Sequence, residues 1–169
     1  MMDAAFMRTL ADRQEITDLI YRYCRSMDRI DAQLGYTIWH DDAVADFGAV
    51  IYQGSGRGFI DHVCAVHRQT LAHSHQISNM IIQLDGDRAA SESYVTATLR
   101  VMKGDKLLQI TAWSRYIDQW SRREGRWGID KRIAVLDFDE IREVTAIGKS
   151  GRGSRDRDDP SYAVLKAPS

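Results

Sequence analysis

The sequence predicts an α+β fold in which N-terminal helices pack on one strongly curved antiparallel sheet. Apolar residues recur at helical spacing in the first half of the chain, and long β-rich runs follow in the second half. Asp-Gly, Gly-Asp and Glu-Gly steps separate those runs, and such steps are typical of hairpin turns. Strands joined by short hairpins form an antiparallel meander, so the helices before it must cover one of its faces.

The first helical segment extends from Asp12 to about Leu34, and Gly35 ends its pattern. Its apolar stripe consists of Ile16, Leu19, Ile20, Tyr23, Met27, Ile30 and Leu34. We therefore expect one long amphipathic helix, followed by a short helical turn over residues 36–40.

The next elements are shorter. The stretch DDAVADFGAVIYQG predicts two short strands around Gly48, and GRGFIDHVCAVHRQTLAH predicts a second helix. Four β-rich runs then occupy residues 75–141. Beyond Ile147 the chain becomes polar. We expect one domain over residues 1–147 and a polar tail over 148–169 that lies on the surface or on a neighbouring subunit.

Composition limits the classes of partner. The 169 residues carry 23 basic and 24 acidic side chains, a net charge of −1, so no overall field attracts nucleic acid or an acidic membrane. The two cysteines, Cys24 and Cys64, form neither a disulfide framework nor a zinc pattern. No window approaches the roughly 18 apolar residues of a membrane span, and no signal peptide is recognisable. We expect a cytoplasmic protein without membrane or nucleic-acid partners.

The motifs that bind nucleotides or perform serine and zinc hydrolysis do not occur in the sequence. Acid/base chemistry by side chains remains. His73 and His75, in LAHSHQISN, share one face of a strand. They have three interpretations: two ligands of a metal site that lacks further ligands, one packed and one solvated histidine, or a general base.

Asp28 lies about 120° from the centre of the apolar stripe of its helix, beside Cys24. This position indicates a boundary residue. A solvated charge or a local ion pair with Arg25 or Arg29 is the simplest interpretation. Arg132, on the last strand, either meets a carboxylate across the sheet or reaches into a cavity and polarises a substrate oxygen.

The order of these segments resembles the SnoaL-like branch of the nuclear transport factor 2-like superfamily. The resemblance covers roughly residues 10–138, and its motifs are YRYCRSMD, WHDDAV, IYQG, HSHQISN, DGDRAASESYV and YIDQWSRREGRWGIDKR. In this family WHDDA marks a helix end and RREGRW marks a hairpin turn. The resemblance implies that the curved sheet encloses a cone-shaped cavity.

A local resemblance to the scytalone dehydratase and hexachlorocyclohexane dehydrochlorinase group implies site residues. The catalytic dyad of that group falls on Asp28 and His75. A pocket arginine falls on Arg132, five residues after Trp127, and a catalytic tyrosine of the related bile-acid dehydratase falls on Tyr23. The substrate-binding positions that the resemblance implies are Tyr52, Tyr116, Phe47, Leu136 and Asn79.

These positions imply a cofactor-independent lyase, most simply a dehydratase, without a bound metal. The substrate would be a hydrophobic, aromatic or polycyclic hydroxylated molecule of the kind met in aromatic compound catabolism. Two alternatives remain open: a proton shuttle like that of ketosteroid isomerase, and a non-catalytic binding module like the small subunit of ring-hydroxylating dioxygenases. Apolar residues on both faces of the strands over 94–120 predict a homo-oligomer, a dimer or a trimer.

Overall fold

A computed structural model describes residues 3–146, 151 and 153–165. The helices are α1 (Ala4–Asp28), α2 (Ala32–Tyr36), α3 (Gly56–Arg68) and α4 (Ser161–Val164). The strands are β1 (Trp39–Asp46), β2 (Gln53–Ser55), β3 (Ala72–Asp85), β4 (Arg88–Lys103), β5 (Lys106–Arg123) and β6 (Arg126–Glu143). The α+β prediction is confirmed, with N-terminal helices against a single six-stranded sheet.

The first helix differs from the prediction at both ends. It begins well before Asp12, and it ends at Asp28 instead of continuing to Leu34. Ile30 has a φ of +52°, in the left-handed region that helices do not use. Asp31 then caps α2 by accepting the backbone N–H of Leu34. The expected single helix is therefore two, and the break brings the C-terminal turn of α1 onto β3.

The predicted helical turn over 36–40 is wrong in its second half, because Trp39 begins β1. β1 pairs in parallel with β6, where Trp39 lies opposite Ile129 and Ala45 lies opposite Arg132. The sheet is thus mostly, not wholly, antiparallel. Its order is β2-β1-β6-β5-β4-β3. The pairing of β1 with β6, which lies far along the chain, therefore outweighs the local helical preference of Trp39 and His40.

The hairpins lie where the turn signals predicted them. Gly86, Gly104 and Gly125 all have positive φ, which an L residue rarely adopts, and they connect β3 to β4, β4 to β5 and β5 to β6. Register shifts place one extra residue in β3 and, at two points of its pairing with β5, one extra residue in β6. Extra residues of this kind bend and twist a strand, which accounts for the curvature of the sheet.

The core lies between the helices and the covered face of the sheet. Ile16, Ile20 and Met27 of α1 are fully buried against it, as the apolar stripe predicts. The side chains of Trp39, Trp120 and Trp127 fill the space between the two layers. α3 ends at Arg68, earlier than predicted, since the backbone of Leu71 already pairs with β4.

The described part of the C-terminal segment folds back onto its own chain. The Arg29 guanidinium donates to the carbonyl oxygen of Ser154 at 2.8 Å, and the Tyr162 hydroxyl donates to Asp31 at 2.7 Å. The proposed boundary at residue 147 lies outside the described residues. In the part of the chain that the structure covers, none of the helices has the length and apolarity needed to cross a membrane.

Candidate active site

Asp28 and His75 meet at the junction of α1 and β3. His75 Nδ1 lies 2.8 Å from Asp28 Oδ1, and the backbone N–H of His75 donates to the same carboxylate at 3.0 and 3.2 Å. The His75 side chain is 7% exposed and that of Asp28 17% exposed. The carboxylate therefore fixes both the position of the strand and the orientation of the ring.

Asp28 adopts neither of the arrangements that helical spacing favoured. It is half-buried, and its described ion-pair partner is His75, not Arg25 or Arg29. The reason is the end of α1, since the chain leaves the helix directly after Asp28 and the last turn packs against the first residues of β3. The contact between Asp28 and His75 joins the two residues on which the catalytic dyad of the resembling group falls.

A cavity of about 610 Å³ adjoins the pair. Its lining consists of Tyr21, Arg22, Cys24, Arg25, Asp28, Arg29, His75, Gln76 and Ile77. The five α1 residues and Arg29, which caps the C-terminus of α1, lie on one face of the helix, and the other three are consecutive in β3. This lining is more polar and more basic than the aromatic cavity implied by the resemblance.

Two further histidines lie behind His75. The ring of His73 donates from Nε2 to the Met27 carbonyl oxygen at 2.9 Å and stacks on the ring of His67, with centroids 4.1 Å apart. Burial, together with the neighbouring rings of His73 and His75, lowers the pKa of His67 to about 3. Arg155 donates to the Nδ1 atom of His73 from the C-terminal segment, at 3.3 Å.

These contacts decide between the interpretations of His73. Its two ring nitrogens are both engaged within the protein, so it packs against the end of α1 and does not face the cavity. Among residues 3–146, 151 and 153–165, no three His, Cys, Asp or Glu side chains are grouped as metal ligands.

A second polar cluster lies deeper in the fold. Arg132 is completely buried and forms two hydrogen bonds of 2.7 Å with Asp118, directly across the sheet on β5. Its guanidinium carbon lies 4.1 Å from the ring centroid of Tyr23 and 4.2 Å from that of Tyr116. Of the two arrangements expected for Arg132, the structure shows the ion pair across the sheet, and this pair lies in the interior.

The environment of this cluster fixes its protonation states. Burial raises the pKa of the Tyr23 and Tyr116 hydroxyls, so both keep their protons at neutral pH. Burial alone would lower the pKa of Arg132, but the Asp118 carboxylate outweighs it and the pKa is raised. Within the described residues, Nη1 of Arg132 is a buried donor without a hydrogen-bond acceptor.

Cys24 connects the cluster with the cavity. It lines the cavity beside Asp28, and the charges of Arg132, Asp28 and Asp118 all act on its thiol. Burial raises the pKa of Cys24 to about 12, so it is a neutral, small wall residue and not a thiolate.

The remaining predicted residues lie elsewhere. Phe47 stacks on Phe59, and Tyr52 packs edge-on against the same ring. Asn79 is exposed at the irregular point of β3, with a φ of +44°. Leu136 is 55% exposed on β6. None of these four lines the cavity beside Asp28 and His75.

Sequence reasoning missed three features of the site. Asp118, the partner of Arg132, follows Tyr116 by two residues and so faces the same side of β5, which was the available signal. Arg22, Arg25 and Arg29 recur at helical spacing and so share one face, which was the available signal. Arg155 carried no recognisable pattern.

Comparison with known proteins identifies the fold class first. The model of the SnoaL-like domain family matches residues 8–133, so the chain belongs to the SnoaL-like domain family, within the nuclear transport factor 2-like superfamily. No protein with a curated function matches significantly.

Several solved structures have the same fold. A hexachlorocyclohexane dehydrochlorinase, LinA type 3 of Novosphingobium barchaimii, is 19% identical with a TM-score of 0.72, over 86% of this chain and 98% of that one. A Novosphingobium aromaticivorans protein provisionally assigned as a scytalone dehydratase is 18% identical with a TM-score of 0.68, over 85% and 97%. A Kribbella flavida protein is 21% identical with a TM-score of 0.71, over 78% and 95%. At such identities the likeness establishes the fold alone.

Proposed function

We propose that this protein is a cofactor-independent lyase, most simply a dehydratase, that uses Asp28 and His75 as an acid/base pair. The observation that carries the proposal is the 2.8 Å contact between Asp28 Oδ1 and His75 Nδ1 at the wall of a cavity large enough for a small molecule. The names of two structural neighbours, a dehydrochlorinase and a provisional scytalone dehydratase, agree with elimination chemistry.

The pair would work as a base held by its carboxylate. A neutral His75 donates its Nδ1–H to Asp28, which leaves Nε2 as the basic nitrogen. Nε2 takes a proton from the carbon next to the one that bears the hydroxyl group, and the electron pair forms the new double bond. Asp28 stabilises the imidazolium that results, and the C-terminal end of α1 adds a favourable negative dipole.

The departing hydroxyl group needs a proton or a hydrogen bond. We assign this role to Tyr23 or Arg132, because the Tyr23 hydroxyl stays protonated and Arg132 Nη1 is an unused donor. Neither residue lines the cavity beside the dyad, but Cys24, which does, adjoins Tyr23 in α1 and is close enough to Arg132 for that charge to act on its thiol. The hydroxyl then leaves as water, and the proton held by His75 returns to Tyr23.

The test is a mass-spectrometric screen with aromatic and polycyclic alcohols. We expect wild-type protein to convert at least one of them with loss of water, and His75→Ala to lower its rate by about 100-fold or more while the protein stays folded. His62→Ala is the matched control, since His62 is an exposed histidine on α3 that does not line the cavity.

Three outcomes would contradict the proposal. A product of unchanged mass would indicate an isomerase, the second enzymatic interpretation. Near-wild-type turnover by His75→Ala would remove the pair from the mechanism. Stable co-purification with a larger partner, together with indifference to His75→Ala, would favour the binding module.

A further inference from the structure

The cavity beside the dyad is lined by a row of arginines. Arg22 and Arg25 of α1 and the C-cap residue Arg29 have the spacing i, i+3 and i+7, so they follow one another along the same face of the helix. All three line the cavity with Asp28 and His75. Three guanidinium groups thus face a single carboxylate, and that carboxylate already binds His75.

Arg29 is neutralised by the C-terminal segment. Its guanidinium donates to the Ser154 carbonyl oxygen and lies 3.7 Å from the carboxylate of Asp159. These contacts leave little of its charge available to a ligand.

Arg22 and Arg25 differ from Arg29 in this respect. Arg25 donates to the hydroxyl of Ser161 and lies over the ring of Tyr162, 4.7 Å from its centroid, so its contacts are neutral groups. Arg22 forms no hydrogen bond or ion pair with any described residue. Within residues 3–146, 151 and 153–165, neither arginine has a carboxylate within ion-pair distance.

Two such guanidinium groups at the wall of a cavity select for anions. Basic residues along a concave surface raise the local concentration of negatively charged ligands. The planar guanidinium also matches a carboxylate with two parallel hydrogen bonds. The stems of both arginines and the side chains of Tyr21 and Ile77 supply apolar surface in the same cavity.

The spacing of the arginines limits the shape of the ligand. Arg25 is one turn from Asp28 and Arg22 is two turns away, which corresponds to about 4.5 and 9 Å along the helix axis. A carboxylate held between them would lie about the width of one ring from the dyad. We propose that the substrate is a cyclic or aromatic acid whose carboxylate binds Arg22 and Arg25, while the reacting carbon lies at His75. This inference rests on the proposed function, since it names the substrate class of the same site.

Calorimetric titration with two matched probes tests the proposed anion site, because it measures binding and needs no catalysis. 2-Naphthoate and 2-naphthalenemethanol share the ring system and differ in the anionic group. We expect wild-type protein to bind 2-naphthoate about tenfold more tightly, and Arg22→Met/Arg25→Met to lose that preference while retaining its affinity for the alcohol. Inorganic phosphate should compete only weakly, because it cannot use the apolar wall.

The control is Arg88→Met, which removes the same charge from an exposed arginine of β4 outside the cavity. It should keep the wild-type preference. Circular dichroism checks the fold of each variant. If the double variant does not fold, Arg22→Met alone carries the test, since Arg22 makes no hydrogen bond to a described residue that its loss would break.

Four results would overturn the inference. Three of them are no saturable binding of 2-naphthoate at millimolar concentration, equal affinity for the two probes, and a preference that survives in the double variant. Competition by phosphate as strong as that by 2-naphthoate would show a simple anion site and would also overturn it. A preference that the arginines control, in a protein that eliminates nothing from any alcohol or acid, would instead refute the lyase proposal and keep the anion site.

Discussion

Arg132 and Asp118 form an ion pair that solvent does not reach: both side chains are 0% exposed, and two hydrogen bonds of 2.7 Å join them. They lie directly opposite each other on β6 and β5. The rings of Tyr23 and Tyr116 cover the guanidinium. A buried charge is tolerated only while its partner is present.

Asp118→Asn should therefore destabilise the fold strongly. The substitution keeps the volume but leaves a buried guanidinium without its counter-charge, and we expect the free energy of unfolding to fall by about 3–5 kcal/mol. Urea denaturation followed by tryptophan fluorescence measures it. The control is Asp137→Asn, which removes an exposed carboxylate partner of Arg115 from the same two strands and should cost much less. Equal losses in the two variants would contradict the buried-pair argument.

Asp28→Asn tests how the dyad works. The amide still fits beside the backbone N–H of His75, so we expect the fold to persist. It cannot stabilise an imidazolium as a carboxylate does, and the rate with any substrate found should fall by about 100-fold to 10,000-fold. Steady-state kinetics together with a thermal melt separate the two effects. Full activity in this variant would show that His75 needs no carboxylate.

The stability of the protein should depend on pH through His67. Its pKa is about 3 in the folded protein, against an ordinary value of 6.5, because it is buried beside His73 and His75, with Arg155 also nearby. Between these values the unfolded chain binds the proton and the folded chain does not. Stability is therefore fully present above about pH 6.5 and is lost progressively as the pH falls toward 3.

His67→Phe removes this titration and keeps a flat ring against His73. We expect its unfolding free energy to change less between pH 6.5 and pH 4 than that of the wild-type protein; His73, whose pKa burial also lowers, would account for part of the remaining slope. Chemical denaturation at several pH values measures both slopes. Parallel slopes would mean that His67 is not the group that titrates.

The outer face of the sheet predicts self-association. Phe138 is 60% exposed and stacks on Trp113, with ring centroids 4.8 Å apart. This apolar surface suits a second copy of the chain. We expect light scattering to show that the wild-type protein is a dimer or a trimer. Phe138→Glu should shift the protein toward the monomer. Val50→Glu, at a fully exposed loop position, should not; a monomeric wild-type protein would contradict the prediction.

The sequence predicted the elements that depend on local patterns. The apolar stripe of α1 and the glycine turns at Gly86, Gly104 and Gly125 carry their own signals, and the structure confirms them. The parallel pairing of β1 with β6 has no local signal, since the strands lie far apart in the chain. The break at Ile30 has none either, because β-branched residues seldom adopt positive φ.

The site shows the same division. Helical spacing placed Asp28 at the edge of the stripe, which is correct, but its partner is decided by the strand that packs against the end of α1. Only the family resemblance pointed to His75. The partner of Arg132 required the strand register, which shifts between Gln119 and Trp120 and could not be counted from the turn alone.

Asp28 serves two purposes at once, because the carboxylate that orients the His75 ring also binds the backbone N–H of the same residue. Selection for a stable fold therefore favours a hydrogen-bond acceptor at position 28, aspartate or asparagine, even in a lineage that has given up catalysis. The backbone N–H at position 75 places no demand on the side chain of that residue. Among related chains, position 75 should therefore vary more freely than position 28 in descendants that only bind.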